Sequence, residues 1–123
     1  MRLRLETDSY NRLICTFEDT GRVATASHAG EAAGSLDAAL REALASGLGE
    51  CFWQEACGEY RWMLRRNGDR IRIAVMWSSG IVTGWENVHW EDCDAGALAG
   101  ELTRALSSWR KSGPLATAAP SNN

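Results

Sequence analysis

Hydrophobic and polar residues alternate over much of the first thirty positions, and a period of two is the mark of half-buried strands. RLRLET, LICTF and RVATAS read as three short strands, separated by the turn-forming clusters Asp8-Ser9-Tyr10-Asn11 and Asp19-Thr20-Gly21. In the first strand Leu3 and Leu5 share one face, while Arg2, Arg4 and Glu6 share the other. The period then changes. After a loop of small residues from His28 to Gly34, Ser35 is placed to cap a helix with Asp37 in its first turn. Leu36, Leu40, Ala43, Leu44 and Leu48 follow at spacings of three and four, which predicts a helix from Ser35 to about Leu48, stopped by Gly47 and Gly49.

The clearest local signal is GEYRWMLRRNGDRIRIAVMW, in which Asn67-Gly68 sits between two β-rich runs and matches a type I′ hairpin turn. With that loop Arg66 opposes Asp69, Leu64 opposes Ile71, Trp62 opposes Ile73 and Tyr60 opposes Val75, so these apolar side chains line one dry face. Arg61, Met63 and Arg65 against Ala74, Arg72 and Arg70 make the wet face. Ser79, Gly80 and Gly84 are hinges in a loop from Ser78 to Trp85 that also holds Ile81 and Val82. ENVHWEDC reads as a further strand, with Val88 and Trp90 inward and His89, Glu91 and Cys93 outward. Asp94 then caps a second helix with the stripe Leu98, Leu102, Ala105, Leu106 and Trp109, ended by Ser112-Gly113-Pro114.

The order βββα-βββα predicts an α+β two-layer sandwich, an antiparallel sheet of about six strands covered by two helices. Residues 1–112 form a single domain in this reading. Residues 113–123, without periodicity, form a disordered C-terminal tail. A chain of 123 residues buries roughly two-thirds of its unfolded surface, enough for one core. Six tryptophans, each able to bury about 200 Å², enlarge it.

Charge narrows the function classes. A formal net charge of −3 and the absence of long like-charge runs give no pull toward nucleic acid. No window approaches a membrane span, and MRLRLETDSY lacks the apolar stretch of a signal peptide, so the expected location is the cytoplasm. The four cysteines, Cys15, Cys51, Cys57 and Cys93, are expected to be reduced thiols used as small hydrophobes.

Cys51, Cys57, His89 and Cys93 are suitable atoms for zinc, but residues four apart on a strand lie about 13 Å apart, so no metal is expected. A His89–Glu91 pair with Cys93 can be drawn on one strand face, yet no nucleophile-elbow or phosphate-cradling glycine pattern accompanies it. No catalytic residue and no cofactor are therefore expected.

The wet hairpin face is the most informative surface. Arg65 and Arg70 are expected to stand opposite each other, a like-charge contact that calls for carboxylates from a neighbouring strand, Glu86 and Glu91, or from a partner. Trp85, on its loop, has the chemistry of an interface anchor. Arg61, Arg65, Arg70, Arg72, Trp85 and Glu91 are thus the candidate protein-binding residues. Base stacking is not expected, because the interleaved aromatics point inward in this register.

Gly58-Glu59-Tyr60-Arg61-Trp62, Gly68-Asp69 and the run Ile71 to Trp77 carry a resemblance to uncharacterised bacterial small α+β proteins with a GEYRW hairpin closed by a Gly-Asp turn, covering Ala26 to Trp109. The plan also resembles that of immunity proteins in bacterial toxin systems. The missing catalytic constellation and the exposed charged hairpin face predict a non-enzymatic protein-binding or inhibitory module, and the resemblance suggests the immunity type. Two alternatives stay open: a small ligand-binding protein or enzyme using a sheet–helix cleft around His89 and Glu91, and a structural homo-oligomer paired through strand edges or the outer sheet face.

Overall fold

In the computed structural model, which describes residues 2–80 and 84–118, the first three strands lie where the alternation places them: β1 at Leu3–Thr7, β2 at Leu13–Phe17 and β3 at Gly21–Ala26. They pair antiparallel in the order β1-β2-β3. Asp8 Oδ1 holds the first turn by accepting the backbone N–H groups of Tyr10 and Arg12, each at 2.9 Å. Leu3 and Leu5 face the core, while Arg4 and Glu6 pair in solvent at 3.3 Å.

The first helix, α1, spans Ala29–Ser46 rather than starting at Ser35, and His28 takes the N-cap position without a side-chain bond. The run AGEAAG looks like a loop because of its two glycines, but alanine is the strongest helix former and Ala29, Ala32 and Ala33 extend the buried stripe. Ser35 lies inside the helix, donating Oγ–H to the Ala32 carbonyl at 2.9 Å. Asp37, also internal, pairs with Arg41 at 3.1 Å and with Arg110 at 3.9 Å. Gly47 ends the helix as expected, at φ 99° with its N–H on the Ala43 carbonyl.

The sequence reading missed a strand. LGECFWQE forms β4, Leu48–Glu55, with Gly49, Cys51 and Trp53 inward and Leu48, Glu50, Phe52 and Gln54 outward. Its period of two is masked by glycine at an inward position and phenylalanine at an outward one. Gly49 is there for space: a Cβ at this position would come within 1.8 Å of the Ala39 carbonyl oxygen of α1. Gly49→Ala must therefore push helix and strand apart, and a loss of about 1–3 kcal/mol is expected in urea unfolding; an unchanged midpoint would show that the contact relaxes freely.

Three further strands, β5 Gly58–Asn67, β6 Arg70–Ser78 and β7 Glu86–Asp94, complete a four-stranded antiparallel sheet in the order β4-β5-β6-β7. The fold is α+β, but among the described residues seven strands divide into two antiparallel sheets instead of forming one sheet of about six. The break falls at the helical crossover. Returning through α1 brings the ends of β3 and β4 together, where Ser27 N–H donates to the Gln54 carbonyl at 2.8 Å without a continuing ladder.

The β5–β6 register is two residues off the expected one. Asn67 opposes Arg70, so Gly68-Asp69 is the two-residue loop, and Leu64 faces Ile73 while Trp62 faces Val75. A type I′ turn at Asn67-Gly68 needs both residues left-handed; Gly68 is, at φ 65°, but Asn67 is not, which places glycine first in the loop as a type II′ turn requires. A shift of two leaves each side chain on its own face. Trp62, Leu64, Ile71, Ile73 and Val75 are accordingly buried, with Tyr60 packed at the margin.

The core lies between this inner face, the two helices and the three-stranded sheet. Trp53 and Trp62 are in ring contact at 5.0 Å, and Phe17 reaches Trp62 from β2 at 6.4 Å. The second helix, α2, spans Ala95–Ala118 and is capped by Asp94, whose Oδ2 accepts the Ala97 N–H at 2.9 Å. Its expected stripe is buried. It continues through Ser112-Gly113-Pro114 to Ala118 instead of ending there, with the proline donor missing from the ladder. Residues 119–123 of the expected tail lie outside the described residues.

α2 docks along β1 through polar contacts. Glu101 Oε2 accepts the Leu3 N–H at 2.7 Å, Arg104 Nη2 donates to the Leu3 carbonyl at 2.8 Å, and Trp109 Nε1–H donates to Thr7 Oγ1 at 2.7 Å. Among the described residues no helix is long and apolar enough to cross a membrane.

Candidate functional site

The outer face of the four-stranded sheet brings together Arg61 and Arg65 of β5 with Arg70 and Arg72 of β6. Arg65 stands opposite Arg72, not Arg70, because of the register shift. The carboxylates that answer them also differ from expectation. Asp92 takes both Arg70, at 3.0 Å, and Arg72, at 3.7 Å, while Glu50 of β4 takes Arg61. Arg65 has Leu48 on its other flank, and its side chain has no hydrogen-bond or ion-pair partner among the described residues.

Glu91 is not part of this surface. On β7 the facing of His89, Trp90, Glu91 and Cys93 is the reverse of the expected one: His89 is buried, Glu91 and Cys93 are half-buried on the inner side, and Trp90 is 54% exposed. The cause is a bulge. Val75 pairs with His89 and Met76 with Asn87, so Val88 is the extra residue and still packs against the core. Period-two reasoning from Val88 therefore inverts everything after it.

Phe52 and Trp90 are the functional candidates that the sequence reading overlooked. Phe52 lies on the missed strand and Trp90 follows the bulge. Trp85, at the end of the loop whose Ile81 and Val82 lie outside the described residues, packs against Phe52 with ring centroids 6.2 Å apart. The Arg61 guanidinium lies 5.9 Å from the Phe52 ring and 5.8 Å from Trp85, and that of Arg72 lies 5.0 Å from Trp90. These are cation–π distances. Three aromatic rings thus face outward, which removes the objection to base stacking that rested on their pointing inward.

His89 sits behind this face, not on it. Its ring packs on Phe17 at 4.3 Å, with Nδ1 3.2 Å from Thr20 Oγ1 and Nε2 3.2 Å from Glu91 Oε1. An Nε2–H tautomer donates to the carboxylate and accepts from the threonine hydroxyl, using both nitrogens. The arrangement ties the β2–β3 turn to β7. The sequence reading of a surface histidine is therefore corrected to a buried one.

The thiols are free. Burial pushes Cys51 up to about 12 and raises Cys15 further, holding both as neutral core groups; burial, then the Glu91 charge, raises Cys93. Among the described residues no three His, Cys, Asp or Glu side chains are grouped to hold an ion.

A second polar cluster joins the two sheets. Glu55, at the end of β4, accepts Ser27 Oγ–H at 2.9 Å, Arg12 Nη2 at 2.7 Å and the Thr25 hydroxyl. Burial raises the Glu55 pKa, but the hydrogen bonds from Thr25, Ser27 and Arg12 outweigh it and hold the carboxyl below its ordinary value. Comparison with protein-family models, curated proteins and solved structures finds no match for the chain.

Proposed function

We propose that the protein is a non-enzymatic binding module of the immunity type, which docks a partner protein on the outer face of its four-stranded sheet. The observation that carries this reading is the joint exposure of Phe52, Trp85 and Trp90 beside Arg61 and Arg72. Tryptophan and arginine are the residues most enriched where binding energy concentrates, because each presents a large rigid surface together with hydrogen-bond donors.

A protein suits this face better than a nucleic acid. Arg61, Arg65, Arg70 and Arg72 share it with Glu50, Glu59, Asp92 and Asp94, so it lacks the overall positive potential that phosphate backbones need. The resemblance to immunity proteins supplies the direction of the proposal, inhibition of a toxin partner. In affinity purification with mass-spectrometric identification, the wild-type chain is expected to retain a defined partner that Arg61→Glu/Arg72→Glu/Trp85→Ala loses. Equal capture of the same partner by both proteins overturns the reading. Light scattering of the isolated protein tests the homotypic use of the face, which predicts a dimer that the triple variant disrupts.

A further inference from the structure

At the hairpin end of the sheet, Arg65, Arg66, Arg70 and Arg72 line a recess of about 570 Å³ in which Asp92 is the one carboxylate. We infer that this recess is an oxyanion-binding pocket for a ligand bearing phosphate groups, a site distinct in chemistry from the aromatic cluster around Arg61. The inference does not depend on the proposed protein partner.

Charge is the first argument. The three outward-facing arginines Arg65, Arg70 and Arg72 against Asp92 leave an excess of two positive charges in the recess, with Arg66 at its hairpin end. A phosphomonoester group carries about −1.5 to −2 near neutral pH, so one phosphate group of the ligand comes close to cancelling that excess, whereas one carboxylate leaves half of it. The volume lies within the range of small-molecule sites, several hundred Å³, and exceeds what a single carboxylate fills.

Preorganisation is the second. Arg66 donates Nε–H to the Gly68 carbonyl and Nη1–H to the Leu44 carbonyl, both at 2.7 Å, so its guanidinium is tied toward the end of α1 and flanks the recess rather than filling it. Arg70 is fixed by Asp92 through Nε at 3.1 Å and through the Asp92 carbonyl at 3.3 Å. Arg65 and Arg72 are cross-strand neighbours, an arrangement in which like charges repel. An anion between them converts the repulsion into two charge-assisted contacts. Guanidinium forks match the paired oxygens of phosphate, which gives arginine its advantage over lysine at such sites.

The test is isothermal titration of the intact protein with inorganic pyrophosphate. Saturable one-to-one binding is expected, weakened about tenfold or more in Arg65→Ala and in Arg72→Ala, as loss of a charge-assisted hydrogen bond predicts. Arg61→Ala, at the other end of the face, should stay within about twofold of wild type, since its guanidinium does not line the recess. Circular dichroism of each variant confirms the fold, and any variant that loses it is replaced by the corresponding glutamine. Absence of saturation overturns the inference, as does an Arg61→Ala loss equal to that of Arg65→Ala. An aspartate-rich peptide that binds more tightly than pyrophosphate overturns the phosphate assignment. Because the titration needs no protein partner, its failure and a failure of partner capture are separate results.

Discussion

Trp62→Ala should lose about 3–5 kcal/mol of stability, the usual cost of deleting a large buried ring. Trp62 is 2% exposed in the middle of β5, with Cys51 of β4 and Val75 of β6 as its cross-strand neighbours. Its ring meets Trp53 on its own sheet and Phe17 on the other, so the vacancy opens where the two sheets join. At this chain length a kcal/mol is worth roughly 4 °C, so the midpoint should fall by roughly 12–20 °C. Trp62→Phe separates ring from donor: the indole N–H has no acceptor among the described residues, so phenylalanine keeps most of the packing and removes a buried unpaired group. Its loss should stay below about 1.5 kcal/mol. An alanine variant as stable as the phenylalanine one would show that this ring is not the joint between the sheets.

Glu55→Ala is expected to cost about 2–3 kcal/mol, below the full penalty for breaking a buried pair because the Arg12 side chain is 39% exposed. The substitution removes the acceptor of the buried Thr25 hydroxyl, which keeps only the 3.4 Å contact from Arg12 Nη2, and takes from Arg12 the nearer of its two carboxylates, leaving Asp8 at 4.0 Å. The same carboxylate gives stability a pH dependence. Glu55 is held below the ordinary glutamate value, as are Glu101, by the Arg104 hydrogen bond, and Asp8, by the Arg12 backbone N–H. The unfolded chain therefore binds more protons in the acid range. The stabilisation from these groups is fully present above about pH 4.5 and is lost as pH falls through their folded values. Urea midpoints measured from pH 7 to pH 3 should decline below that point, with a shallower decline in Glu55→Gln. An identical slope in the variant would assign the acid sensitivity to other carboxylates.

Local periodicity made most elements legible. The three N-terminal strands, the β5–β6 hairpin and the stripe of α2 follow from side-chain spacing alone, and the dry face around Trp62 survives a register error because the error is an even number of residues. The failures are cases where a second force competes with the pattern. Ala29 to Gly34 reads as loop by its glycines and becomes helix by tertiary burial of its alanines. β4 is hidden because Gly49 is selected for the proximity of Ala39, a contact between elements that no window of sequence contains. At the candidate site the spacing points to the arginines, but it suggests Glu86 and Glu91 as their carboxylates instead of Glu50 and Asp92, and it hides two of the three outward aromatics, Phe52 and Trp90. One bulged residue, Val88, accounts for the misplacement on β7.

By meeting the Leu3 amide and carbonyl with a carboxylate and a guanidinium, Glu101 and Arg104 imitate the backbone of a neighbouring strand. The outer rim of β1 is thereby occupied by groups that cannot propagate a ladder, so recruitment of another chain is discouraged on that side. β7, the terminal strand of the larger sheet, is guarded differently, by its bulge and by charged residues at Glu86, Asp92 and Asp94. Solution conditions that loosen the Glu101–Arg104 clasp should therefore uncover the rim of β1 and shorten the lag before aggregation, as thioflavin fluorescence would record.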